Sequence, residues 1–70
     1  MTEGDAFYGL LVRELEGWHT RSVVRAGRRW EAVIARERGR AIEAAAAAHP
    51  GVALRTAWAR VEARIGLDGA

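Results

Sequence analysis

The chain holds a single proline, Pro50, inside His49-Pro50-Gly51. Proline fixes φ and has no N–H to donate, so it ends whatever element precedes it and opens the next. The residues before and after this break therefore belong to different elements. From Arg21 to Ala48 no proline intervenes, and Val23, Gly27, Trp30, Ile34, Glu37, Ala41, Ala44 and Ala48 follow an alternating four-three spacing. That spacing is the seam of an antiparallel helical bundle, and it predicts one long helix over about residues 21–48. Gly27 and Gly39 each cost ~1 kcal/mol in a helix interior, which makes them the candidate kink positions.

Upstream, Thr2 and Asp5 resemble a capping box. Phe7, Leu10, Leu11, Leu15 and Trp18 then recur at helical spacing, predicting a first helix over about residues 4–18. Thr20 is the expected N-cap of the long helix. Downstream, Leu54, Ala57, Trp58, Val61 and Ile65 form an apolar stripe that predicts a third helix over about residues 51–66, with Gly66 as its C-terminal cap. The expected fold is all-α: a single domain in which two shorter helices pack antiparallel on a long central one. The alanine run 44–48 is expected to receive Trp58 as a large side chain on a small surface.

A chain of 70 residues without cysteine buries only ~60% of its unfolded surface and has no disulfide to compensate. A partner is therefore expected, either a second copy or another protein. Trp18, Trp30, Val24 and Val33 are the candidate anchors, and Val12 and Ile42 are further apolar flanks that three helices cover poorly. All eleven basic side chains are arginine, and Lys, Asn, Gln and Cys are absent, a bias that suggests a GC-rich bacterial or phage coding background.

Residues 19–40 contain seven arginines against two glutamates, a net of +5. Wound on a helix, Arg21, Arg25, Arg28, Arg29, Arg36 and Arg40 would share one solvent-facing stripe about 28 Å long. Two functional readings and a structural one follow. The row contacts phosphates of a nucleic acid, or it meets an acidic protein surface, or it only solvates a helix face in a chain without lysine.

Other chemistry is poorly provided for. His19 and His49 lie thirty residues apart with no cysteine, so neither a metal site nor a cofactor is expected. Ser22, three threonines and Tyr8 are the available hydroxyls, and Glu14 and Glu16 are spaced to point apart on a helix. No catalytic residue or small-molecule substrate is expected. Glu37 is expected to pair with Arg64 at a helix rim, and His49 to oppose the negative end of the long helix. The acidic opening and the absence of a long apolar stretch lead us to expect a cytoplasmic protein without a membrane segment. The favoured expectation is a non-enzymatic interaction or assembly module, with nucleic-acid binding as the alternative.

Overall fold

The computed structural model describes residues 3–68, and it overturns the all-α expectation. The chain runs α1 (Glu3–Leu11), β1 (Glu14–Leu15), β2 (Trp18–Ala26), β3 (Arg29–Arg36), β4 (Ile42–Ala47) and α2 (Pro50–Asp68). The strands form one antiparallel sheet in the order β1-β2-β3-β4. Both helices pack on the same face of it. The architecture is thus a two-layer α/β sandwich and not a helical bundle.

The segment expected as the long helix is three strands, and local chemistry explains why. Val23, Val24, Val33 and Ile34 are β-branched, and Trp30 adds a side chain that also favours extended backbone. Gly27, at φ +65°, takes the first central position of the two-residue turn Gly27-Arg28 joining paired Ala26 and Arg29. Arg28 is not left-handed, so the turn has the signature of type II′, which suits the twist of a hairpin. A helix kink expected at Gly27 is therefore a strand reversal. Gly39, at φ +98°, lies in the loop between β3 and β4 rather than inside a helix.

The first helix is also shorter than expected. It ends at Leu11, and the chain returns through a tight hairpin in which Leu15 pairs with Trp18 across Glu16-Gly17. Both turn residues have positive φ, 51° and 84°. Thr20 is consequently a strand residue and not a helix cap. Thr2, the first residue of the expected Thr2–Asp5 capping box, lies outside the described residues.

α2 occupies the place of the third expected helix but runs through Gly66 to Asp68, so Gly66 is not its cap. Its beginning is built by His49 and Pro50. The His49 carbonyl accepts the Ala53 N–H at 3.1 Å, and the His49 Nδ1 accepts the Gly51 N–H at 3.0 Å. His49 is thus the N-cap of α2, with Pro50 at the first helical position, and it faces the positive end of a helix dipole. The sequence placed it at the negative end of a preceding helix that does not exist. Gly51 lets the ring come this close, since a Cβ there would stand 3.2 Å from His49 Nδ1.

The core lies between sheet and helices. Trp18, Ala32, Ile34, Ala45, Ala53, Leu54, Ala57, Trp58 and Val61 are buried, with Phe7, Leu10, Leu11, Leu15, Val23, Trp30 and Ile65 packed around them. Trp58 does not lie on a helical alanine surface. It stands in the middle of this core, where its indole N–H reaches the Leu10 carbonyl and the Thr20 hydroxyl, both at 3.1 Å. The alanines of β4 still matter, because Ala45 and Ala47 on the inner face leave room for α2 to approach the sheet.

Candidate interaction surface

Strand register sorts the side chains into two faces. On the inner face, Thr20 sits opposite Ile34, Val23 opposite Ala32, and Trp30 opposite Ala47. The outer face carries Ser22, Val24 and Ala26 from β2, Arg29, Glu31, Val33 and Ala35 from β3, and Ile42, Ala44 and Ala46 from β4. Neither helix covers this outer face. A β-bulge between Thr20 and Ser22 changes the phase of β2, so that inward positions are even before Arg21 and odd after it.

Three branched side chains cross the open face on a diagonal. Val24 is opposite Glu31, Val33 is two residues further along β3, and Ile42 is opposite Ala35, two residues further again. Diagonal neighbours on one face lie within reach of each other. Val24 and Ile42 are 50% and 51% exposed, values that strand residues reach only where nothing packs on them. Alanines 35, 44 and 46 fill the space around the diagonal, and Glu31 and Arg29 edge it toward the hairpin end.

The four expected anchors thus divide. Val24 and Val33 share this face, whereas Trp18 is only 2% exposed in the core and Trp30 is half-buried on the inner face. Neither tryptophan presents its ring to a partner on the open face. Ile42 completes the diagonal. Its sequence signal was its place as a lone branched residue ahead of an alanine run, which reads as a flank on a helix and as an outward position on a strand.

The arginine stripe does not exist as a continuous row. Arg25, Arg28 and Arg29 cluster at the β2–β3 turn, and Arg25 Nε donates to the Gly27 carbonyl at 3.1 Å. Arg36, Arg38 and Arg40 lie at the opposite end of the sheet, around the β3–β4 loop. Arg29 and Arg36 are the two ends of β3, seven steps apart, about 23 Å at ~3.3 Å per residue. Arg21 projects alone from the bulge. The ion pairs recorded among the described residues use other arginines: Arg13 with Glu62 at 2.5 Å and Arg64 with Glu43 at 3.1 Å. Glu37 is exposed in the β3–β4 loop, so Arg64 pairs with Glu43 in place of the expected Glu37.

An open depression of about 420 Å³ lies between the end of α1 and the β1–β2 hairpin, lined by Leu11, Val12, Arg13, Glu14, Gly17, His19 and Glu37. Its groups are spread along an open rim. Among the described residues no three His, Asp or Glu side chains converge on a point that a metal ion would occupy. No helix among them is long and apolar enough to cross a membrane. Comparison with protein-family models, with curated proteins and with solved structures finds no match to this chain.

Proposed function

We propose that this domain is a non-enzymatic interaction module that docks protein on the open face of its sheet, a second copy of itself in the first instance. The observation that carries the reading is the uncovered Val24–Val33–Ile42 diagonal, set among alanines on a face that both helices leave free. Face-to-face sheet packing would bury it in the manner of a β-sandwich. Three strands at ~4.8 Å and six residues at ~3.4 Å give a footprint of roughly 300 Å² per copy. That is small beside the ~800 Å² per partner of a standard interface, so the association is weak and reversible. A cytoplasmic setting belongs to the same proposal.

Sedimentation velocity from low micromolar to about millimolar concentration tests it. The average mass should rise with concentration, and Val24→Asp combined with Ile42→Asp should weaken that rise at least tenfold without lowering its helical and strand signal. A native chain that stays monomeric and binds no protein partner through this face refutes the reading.

The nucleic-acid alternative now rests on one end of the molecule. Arg25, Arg28 and Arg29 bring three arginines to the β2–β3 hairpin end, Arg25 on the inner face and Arg29 on the outer, and guanidinium groups bind phosphate in bidentate fashion. Anisotropy titrations of labelled DNA and RNA at low and near-physiological salt decide it. Binding that falls steeply with salt and vanishes in the R25E/R28E/R29E variant supports this reading, and no binding at low salt removes it.

A further inference from the structure

The two edges of the sheet are treated very differently. On the β2 side, β1 is only two residues long, Arg21 forms a bulge, and Arg25 and Arg28 crowd the hairpin end. Short edge strands, bulges and cationic side chains are the devices that keep an edge from pairing with another chain. On the β4 side, Ile42–Ala47 is regular, without proline or bulge, and its one charged residue, Glu43, is held by Arg64 of α2.

The β4 register shows which backbone groups are free. Arg36 N–H donates to the Ala41 carbonyl, and hydrogen-bonded pairs recur every second residue along an antiparallel ladder. Residues 43, 45 and 47 therefore turn their N–H and C=O groups toward β3, and Ile42, Ala44 and Ala46 turn theirs outward. The Ala44 carbonyl accepts a hydrogen bond from Arg60 of α2, which reaches it from the helical side. A carbonyl has two lone pairs, so one remains for a donor lying in the plane of the sheet.

We propose that β4 pairs antiparallel with β4 of a second copy about a two-fold axis at Ala44, joining the two sheets into one. This register sets Ala44 opposite the partner's Ala44 and Ile42 opposite the partner's Ala46, and it engages all three outward residues of both strands in six backbone hydrogen bonds. It also sets Glu43 opposite the partner's Ala45, so the two carboxylates stay apart, while Arg60 of each copy stands on the helical side of the strand at the Ala44 carbonyl. An axis at Glu43 would place two carboxylates face to face, and an axis at Ala45 would leave Ile42 opposite a residue beyond the strand. The second copy is the occupant this edge fits best, because the register sets small side chains against small ones, Ile42 against an alanine, and keeps the two Glu43 carboxylates apart. The edge pairs through backbone groups, so it is separated from docking on the open face by working with Val24→Asp chains, whose open face is spoiled and whose β4 backbone is not.

The test is the oligomeric state of variants carrying four substitutions. Ala44→Pro removes the outward N–H at the axis and leaves the β3 ladder intact, as proline does on edge strands. It should weaken self-association at least tenfold, while Val24→Asp on the open face leaves the edge pairing in place. Ala44→Glu and Ala44→Lys should each weaken it similarly, because the axis sets residue 44 against itself, and an equimolar mixture of the two should associate again as a heterodimer. Circular dichroism confirms that each variant is folded. A native chain that is monomeric to about millimolar concentration overturns the proposal. Association of Val24→Asp chains that survives a further Ala44→Pro, or a Glu/Lys mixture that does not restore it, overturns it equally.

Discussion

Three groups in the core share hydrogen bonds in a way that makes their energetics calculable. The Thr20 hydroxyl donates to the Leu10 carbonyl at 2.8 Å, and the Trp58 indole N–H lies 3.1 Å from both the Thr20 oxygen and that carbonyl. Thr20→Val removes the hydroxyl at nearly constant shape. Trp58 keeps Leu10 as acceptor and Leu10 keeps Trp58 as donor, so no partner is stranded and the cost should be about 1 kcal/mol. Trp58→Phe removes the donor and roughly 40 Å³ of side chain; at ~24 cal/mol per Å³ the cavity contributes about 1 kcal/mol, and lost transfer energy and the lost hydrogen bond bring the total to about 3.

The double variant decides between two opposing corrections. The Thr20–Trp58 bond is lost in either single variant, which makes the sum of the two overcount by about 0.5–1 kcal/mol. Only the double variant, however, leaves the Leu10 carbonyl without either partner, a penalty of about 1–3 kcal/mol. The second effect is larger, so the double variant should be destabilised beyond the sum by about 1 kcal/mol. Urea unfolding followed by circular dichroism measures all three, with a stabilising osmolyte present because a chain of this size has only about 3.5–10 kcal/mol in total. Additive or sub-additive costs would refute the reasoning, since they would mean that Leu10 finds another donor or that water reaches it.

Other perturbations test the turns and caps. His49→Ala should cost about 1 kcal/mol in urea melts and His49→Asp should recover it or better, because a carboxylate accepts the Gly51 N–H and favours the positive end of α2. Glu16→Asn should stabilise by about 0.5–1 kcal/mol, raising the thermal midpoint by several degrees, since Glu16 at φ 51° and Gly17 at φ 84° occupy a turn that asparagine followed by glycine prefers. Glu43→Gln should cost less than about 1 kcal/mol and the loss should shrink with added salt, because both partners of the Arg64 pair remain partly exposed.

Placement of the helix-forming stripe Leu54, Ala57, Trp58, Val61 and Ile65 was readable in sequence because helical periodicity and the proline at its start agree. Residues 18–47 were not, and three features hid their strands. The bulge at Arg21 shifts the inward positions of β2 by one residue, which breaks the two-residue alternation where it should be clearest. On β3 the outward positions Val33 and Ala35 are as apolar as the inward Ala32 and Ile34, so alternation is invisible there. On β4 the alanine run carries the strongest helix propensity of any residue type, and it lies in a strand because Ala45 and Ala47 fit beneath α2.

The candidate surface divides in the same way. Val24, Val33 and Ile42 were expected as poorly covered flanks of three helices, an arrangement that does not form, and the structure finds two of them half exposed on a sheet instead. Their gathering on one diagonal depends on strand register, which couples residues far apart in sequence and leaves no local trace. Arginine density between residues 19 and 40 was equally plain, but its geometry was set by whether that segment wound at 100° per residue or extended and turned back twice. Local spacing determined the break at His49-Pro50-Gly51 and the buried stripe of α2, because a helix carries its own hydrogen bonds and periodicity. The sheet, its open face and its unguarded edge were decided by tertiary packing, because extended strands gain their hydrogen bonds only from neighbours that the fold brings beside them.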